Sequence, residues 1–232
     1  MFEVEVKALV PNPELLKAEI FKQFKSNGIP SEQLNHYFSY TPEVFSKFVN
    51  GYLPRSCIRN DCVFPDDIST AENVAVRTRW DSLTGTWLML KYSITDDCSQ
   101  NGIMRREFEL NVKSDLPLLD NDLLEIGFDY QSKWSRNRVE YKIPNDISLF
   151  VDVNAGYRGI CEVEKIVSTK NEILQAKSEV EDILSSLQLE ELDKQLLKEM
   201  FNFYSANWQE FYGTSKSIFQ DQRFQDILKL RG

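Results

Sequence analysis

Seven segments of this chain place ionisable side chains at every second position and apolar ones between them. Successive residues of a strand point to opposite faces, so Glu3, Glu5 and Lys7 share one side of the opening segment while Val4, Val6 and Ala8 share the other. The device returns with Arg77 and Arg79 against Val74 and Val76, and with Lys91 against Leu88 and Leu90. It recurs with Arg105, Glu107 and Glu109 against Phe108 and Leu110, and with Arg136, Arg138 and Glu140 along 135–141. Asp152 then lies opposite Leu149, Val151 and Val153, and Glu162 and Glu164 share one side of 161–166.

Such stripes admit two architectures. An open antiparallel sheet with helices on one face would turn the charges to water. A closed sheet would turn them inward and present its apolar side to surrounding helices. Solvated strands ordinarily mix Thr, Ser, Gln and Lys, and the concentration of Arg and Glu favours closure. A closed interior of this kind cannot be dry, because each ion taken out of water costs several kcal/mol even after relaxation. It needs water, mutual pairing or a charged ligand with metal ions. The acids Glu3, Glu5, Glu107, Glu109, Asp152, Glu162 and Glu164 suit hard divalent cations bound through oxygen. The bases Lys7, Arg77, Arg79, Lys91, Arg105, Arg136 and Arg138 suit a polyanion, since guanidinium forks match phosphate oxygens. A metal-complexed triphosphate meets both demands.

Helical signals separate these strands. Asn12-Pro13-Glu14 reads as a helix start, followed by Leu15, Leu16, Ile20 and Phe24 at helical spacing, with Gly28 as the stop. An uncharged strand is expected around 34–40 and a short helix from Pro42. The prolines of 51–70 predict a loop insertion. A helix is predicted over 116–126, ending at Gly127, and the last third is helical from Ile173, with an aromatic stretch Phe203, Tyr204, Trp208, Phe211 and Tyr212 that packs back on the body.

Composition narrows the partners. A net charge of −9 argues against a duplex nucleic acid ligand, which needs a basic face. No apolar run approaches the roughly 20 residues of a membrane helix, and the acidic start does not resemble a signal peptide, so the expected compartment is the cytoplasm. Cys57, Cys62, Cys98 and Cys161 have no second Cys/His pair to complete a zinc site, and thiols are expected. His36 is the only histidine and is expected to serve packing or hydrogen bonding.

Glu3-x-Glu5-x-Lys7 is similar to the ExExK signature of the CYTH superfamily, the triphosphate tunnel metalloenzymes. Arg77-x-Arg79, Lys91, Arg105-x-Glu107-x-Glu109, Arg138 with Tyr141, Asp152 and Glu162-x-Glu164 follow in the family's order, over residues 1–212. The resemblance implies an α+β fold: an eight-stranded antiparallel β-barrel, the triphosphate tunnel, with surrounding helices and a C-terminal helical segment. Residues 1–212 would form the tunnel domain and 213–232 a tail. By the same resemblance Lys7, Arg77, Arg79, Lys91, Arg105, Arg136, Arg138 and, more loosely matched, Lys194 bind substrate. The seven acids named above hold Mg²⁺ or Mn²⁺, and Glu5, Glu162, Glu164 and Arg77 carry catalysis. The implied activity is metal-dependent hydrolysis of tripolyphosphate, ATP or another nucleoside triphosphate, or thiamine triphosphate, by a monomer or homodimer. A class IV adenylyl cyclase and a non-catalytic polyphosphate binder are the alternatives. Departures from the family are the length of 51–70, the absence of an aspartate in 37–42, and the competition of Lys133 with Arg136 for one basic place.

Overall fold

The structure, a computed structural model, describes residues 2–60, 62–64, 68, 71–93 and 104–229, with the side chains of 72, 93, 104 and 105 excepted. Eight strands carry the alternating segments: β1 (Phe2–Val10), β2 (Ile29–Ser39), β3 (Glu72–Asp81), β4 (Gly85–Ser93), β5 (Met104–Val112), β6 (Asp129–Ile143), β7 (Ile147–Asn154) and β8 (Gly159–Val167). All neighbours are antiparallel, in the order β1-β5-β4-β3-β2-β6-β7-β8, and β1 pairs with both β8 and β5 to close a barrel. The register fixes which side chains share a face. Lys7 stands opposite Glu162, Glu5 opposite Glu164, Arg138 opposite Asp152, Arg77 opposite Met89 and Lys91 opposite Glu107. The charged stripes therefore line one continuous interior.

The apolar stripes face out and are covered. Val4, Val6 and Ala8 pack with Leu16 and Ile20 of α1 (Pro13–Phe24) and with Ala176, Val180 and Leu184 of α5 (Ile173–Ser186). Val76, Leu88, Leu90 and Leu110 pack with Leu119 and Leu123 of α4 (Leu116–Ile126), and with Phe48 and Leu53 of the segment before β3. One end of the barrel differs. There the inward-facing Leu9, Tyr37, Trp134 and Ile160 join Leu197, Met200, Phe201 and Tyr204 of α6 (Lys194–Phe211) in an apolar cluster. The Trp134 and Tyr204 rings stack with centroids 3.5 Å apart. At this end α6 lies across the mouth. Among the described residues no helix is long and apolar enough to cross a membrane.

Two expectations need correction. The 51–70 segment is not simply a loop. α2 (Pro42–Lys47) passes through a π turn at Phe48–Tyr52 into α3 (Leu53–Arg59), and the widened turn directly precedes Pro54, whose missing N–H and ring a regular helical interior would not accommodate. Gly28 does not stop α1, which ends at Lys25 in a left-handed conformation (φ 54°). A Cβ at Gly28 would lie 2.3 Å from Val139 Cγ1, so close packing on β6 explains the glycine instead. The expected tail packs on the body over 213–229: Ile218 N–H donates to Gly156 O at 2.7 Å, and both Ile218 and, in α7 (Gln222–Lys229), Phe224 are buried in the α6 cluster. Cys98 lies outside the described residues.

Candidate functional site

Inside the barrel the ions are divided between a neutralised half and a cationic half. Arg138 donates through Nε and Nη2 to both carboxylate oxygens of Asp152, at 2.7 and 2.8 Å, and through Nη2 to Glu162 Oε2 at 2.7 Å. Lys7 Nζ reaches Glu162 Oε1 at 2.7 Å and Glu5 Oε2 at 2.5 Å. Lys91 Nζ lies 2.5 Å from Glu3 Oε2 and 3.2 Å from both Glu5 Oε1 and Glu107 Oε1. A buried ion survives only when it is paired and hydrogen-bonded in this way.

The second half lacks such balance. Among the described residues neither Arg77 nor Arg79 has a carboxylate within ion-pair distance; Arg77 Nη1 instead donates to Tyr37 OH at 3.1 Å and Arg79 Nε to Asn35 Oδ1 at 2.9 Å. Arg136 divides its donors between Gln33 Oε1 at 2.6 Å and Asp152 Oδ2 at 2.9 Å. Burial, and then the neighbouring Arg77, Arg136 and Arg138, hold the Arg79 guanidinium well below its ordinary pKa. Burial pushes the Tyr37 phenol up, yet the Arg77 guanidinium outweighs it and the pKa ends below the usual phenol range. Arg77 and Arg79 thus present guanidinium donors to the interior that, among the described residues, have no carboxylate within ion-pair distance.

Carboxylates converge nearby. Glu3, Glu5 and Glu164 each bring one oxygen within 4.8 Å of the others. Burial and the charges of Glu162 and Glu3 push the Glu164 carboxyl up to about 9. Glu3 is raised by burial against the pull of Lys91. Glu162 behaves oppositely: burial would raise it, but Lys7 and Arg138 bring it well below the carboxylate range. Carboxylates that repel one another and resist ionisation are relieved by a cation, and an all-oxygen set suits Mg²⁺ or Mn²⁺.

The seven acids expected to bind metal thus separate. Glu3, Glu5 and Glu164 come together as a ligand set. Glu162 and Asp152 are engaged by Arg138; Lys91 engages Glu107 but also Glu3 and Glu5, and Lys7 engages Glu5, so what sets Glu3, Glu5 and Glu164 apart is the convergence of their oxygens, while Glu109 stands across from Met89 on the same inner face. Of the expected substrate-binding bases, Lys7, Arg77, Arg79, Lys91, Arg136 and Arg138 line the interior. The Arg105 side chain lies outside the described residues, although its backbone pairs with Glu3. Lys194 is exposed on the first turn of α6, and among the described residues it makes no ion pair with the tunnel groups. Lys133, the rival of Arg136, is on the outer face with its ammonium 3.7 Å from the Tyr130 ring centroid. Selecting strands by charge missed Gln33, Asn35 and Tyr37, which orient the arginines. The signal that finds them is the same alternation in neutral form, Gln33-x-Asn35-x-Tyr37 against Leu34, His36 and Phe38.

No family model matches the chain, and no curated protein matches it. Solved structures do. The PH1819 protein from Pyrococcus horikoshii OT3 is 20% identical with a TM-score of 0.60, over 83% of this chain and 93% of that one. The PH1012 protein from the same organism is 18% identical, TM-score 0.58, over 81% and 91%. A candidate adenylate cyclase from Vibrio parahaemolyticus is 13% identical, TM-score 0.58, over 85% and 98%. At these identities the likeness is one of fold: the chain has a CYTH-type fold, shared with these proteins over most of their length.

Proposed function

We propose that the protein is a divalent-metal-dependent hydrolase of a small triphosphate held inside the tunnel. The observation that carries this reading is the juxtaposition of the Glu3, Glu5 and Glu164 oxygens with the carboxylate-poor arginines Arg77 and Arg79 in one interior. One wall suits a cation and the other the anion that the cation would accompany.

Arg77, Arg79 and Arg136 would take the non-bridging phosphoryl oxygens, and Lys7 and Lys91 the remaining negative charge. Asp152 and Glu162 hold Arg138 rigidly at two donors, so its guanidinium needs no reorganisation when charge builds up on the substrate. Mg²⁺ or Mn²⁺ at Glu3, Glu5 and Glu164 would neutralise the developing phosphoryl charge. Glu164, held protonated near neutral pH by burial and by Glu162 and Glu3, would be the group to give up its proton to a cation at this set, and its carboxylate would then be available to accept a hydrogen bond from the attacking water. Water is the nucleophile that asks least of these groups, and none of them forms a recognisable device for orienting a ribose hydroxyl.

A second reading is cyclisation of ATP, favoured by the likeness to the Vibrio parahaemolyticus candidate adenylate cyclase. Incubation with Mn²⁺ and either tripolyphosphate or ATP, with the products resolved by ion exchange, separates the two. Orthophosphate with a diphosphate product supports hydrolysis. Cyclic AMP with pyrophosphate from ATP, and no action on tripolyphosphate, overturns it.

A further inference from the structure

A buried polar node lies on the outer wall of the barrel, directly behind the arginines. His36 of β2 and Thr78 of β3 are cross-strand partners facing out. Between them α4 inserts Asp120, 2% exposed: Oδ2 lies 2.6 Å from His36 Nδ1, and Oδ1 accepts from Thr78 Oγ1 at 2.6 Å. Tyr130 OH also donates to Oδ2 at 2.8 Å, and Tyr212 OH is 3.1 Å from His36 Nε2. Thr78 is wholly buried and His36 nearly so. Replacing such a node by apolar residues of similar volume is often neutral or stabilising, so packing alone does not call for a carboxylate here.

The neighbours of the node in sequence explain its place. His36 stands between Asn35 and Tyr37, and Thr78 between Arg77 and Arg79. On the inner face these four form the cross-strand pairs Asn35↔Arg79 and Tyr37↔Arg77. Among the described arginines of the tunnel, the two with no carboxylate within ion-pair distance, Arg77 and Arg79, are therefore the two that flank the outer clamp. Both lie on the β2–β3 seam that Asp120 bridges.

The geometry points to Asp120 as a positioning residue for the tunnel arginines: by joining His36 to Thr78 it fixes the β2–β3 register and twist on which the aim of Arg77 and Arg79 depends. This rests on the proposed triphosphate site. Asp120 touches no substrate. It acts through the strand backbone, as residues behind a ligand-binding shell commonly do, and loss of such support typically costs about 10–100-fold in affinity or activity.

The test uses full-length Asp120→Ala and Asp120→Asn, with the nearby exposed Asp122→Ala as control. Fold is checked by circular dichroism, kcat and KM are measured on tripolyphosphate with Mn²⁺, and the Tyr37 phenol is titrated at 295 nm as the difference from Tyr37→Phe. The expectation for Asp120→Ala is a KM about 10–100-fold higher with a smaller change in kcat. Its Tyr37 phenol should titrate at higher pH because Arg77 has moved off it. Asp120→Asn, which can still accept from Thr78, should recover most of the loss, and Asp122→Ala should match wild type. A folded Asp120→Ala with wild-type KM and an unmoved Tyr37 titration overturns the proposal. If wild type turns nothing over, the triphosphate reading fails, while the phenol titration still decides the clamp. If Asp120→Ala does not fold, Thr78→Val severs one arm of the same bridge and is judged on the same two readouts.

Discussion

At Glu164 the tunnel stores an electrostatic conflict that a cation would resolve. Its carboxyl, pushed up to about 9 by burial and by Glu162 and Glu3, keeps its proton in the folded protein at a pH where the unfolded chain has released it. The unfolded state therefore binds fewer protons, and this group's contribution to stability, complete below an ordinary carboxylate pKa of about 4.3, is lost as pH rises toward 9. Glu164→Gln removes the conflict while keeping the shape. In thermal scans at pH 8 without metal, Glu164→Gln should melt above wild type, by about 2–4 °C for each kcal/mol relieved. The same substitution should abolish the Mn²⁺-induced rise in Tm, since one of three clustered oxygen ligands is gone. Wild-type affinity for Mn²⁺ should also strengthen from pH 6 to pH 9, because the cation must displace the Glu164 proton. Titration calorimetry across that range checks this, and a flat profile would contradict the pKa behind it.

At the scale of elements, α6 determines how one end of the barrel is finished. Met200, Phe203 and Tyr204 are buried in the cluster that also takes Leu9, Trp134 and Ile160 from the strands. Met200 is fully buried, so Met200→Ala should cost about 2–5 kcal/mol in urea unfolding through lost burial and the cavity left behind. Phe203 and its neighbours were legible in the sequence as an aromatic stretch that packs back; the surface they cover was not. Their partners Leu9 and Ile160 face the same interior as the charges, and alternation alone does not tell a wet stretch of tunnel from a stoppered one. The limits of α4, from Leu116 to the left-handed Gly127, were legible because cap and glycine are local signals. Residues 53–59 were misread for the converse reason, since a proline looks the same in a loop and in the first turn of a helix.

At the scale of the molecule, an acidic chain of net charge −9 encloses two arginines, Arg77 and Arg79, that among the described residues have no carboxylate within ion-pair distance. The stripes and their order were legible residue by residue. Closure was expected from the concentration of Arg and Glu on one face, but the strand order and register that achieve it, such as Glu3 with Arg105 and Val4 with Met104, rest on long-range pairings that no local pattern encodes. The division of the seven acids was equally hidden: register and side-chain reach send Asp152 and Glu162 to Arg138 and leave Glu3, Glu5 and Glu164 together. Arg79→Ala, which removes a guanidinium without an ion-pair partner, should leave Tm unchanged or higher but weaken tripolyphosphate binding by tenfold or more, about 1.4 kcal/mol or above. The most direct measurement is calorimetric titration of tripolyphosphate into the wild-type protein, with and without saturating Mn²⁺, repeated on Arg79→Ala and Glu164→Gln. A tunnel that holds metal and triphosphate together predicts that Mn²⁺ tightens wild-type binding, that Arg79→Ala weakens it in both conditions, and that Glu164→Gln removes only the Mn²⁺ dependence. Binding that is absent, or equally strong in all three proteins and indifferent to Mn²⁺, would contradict it.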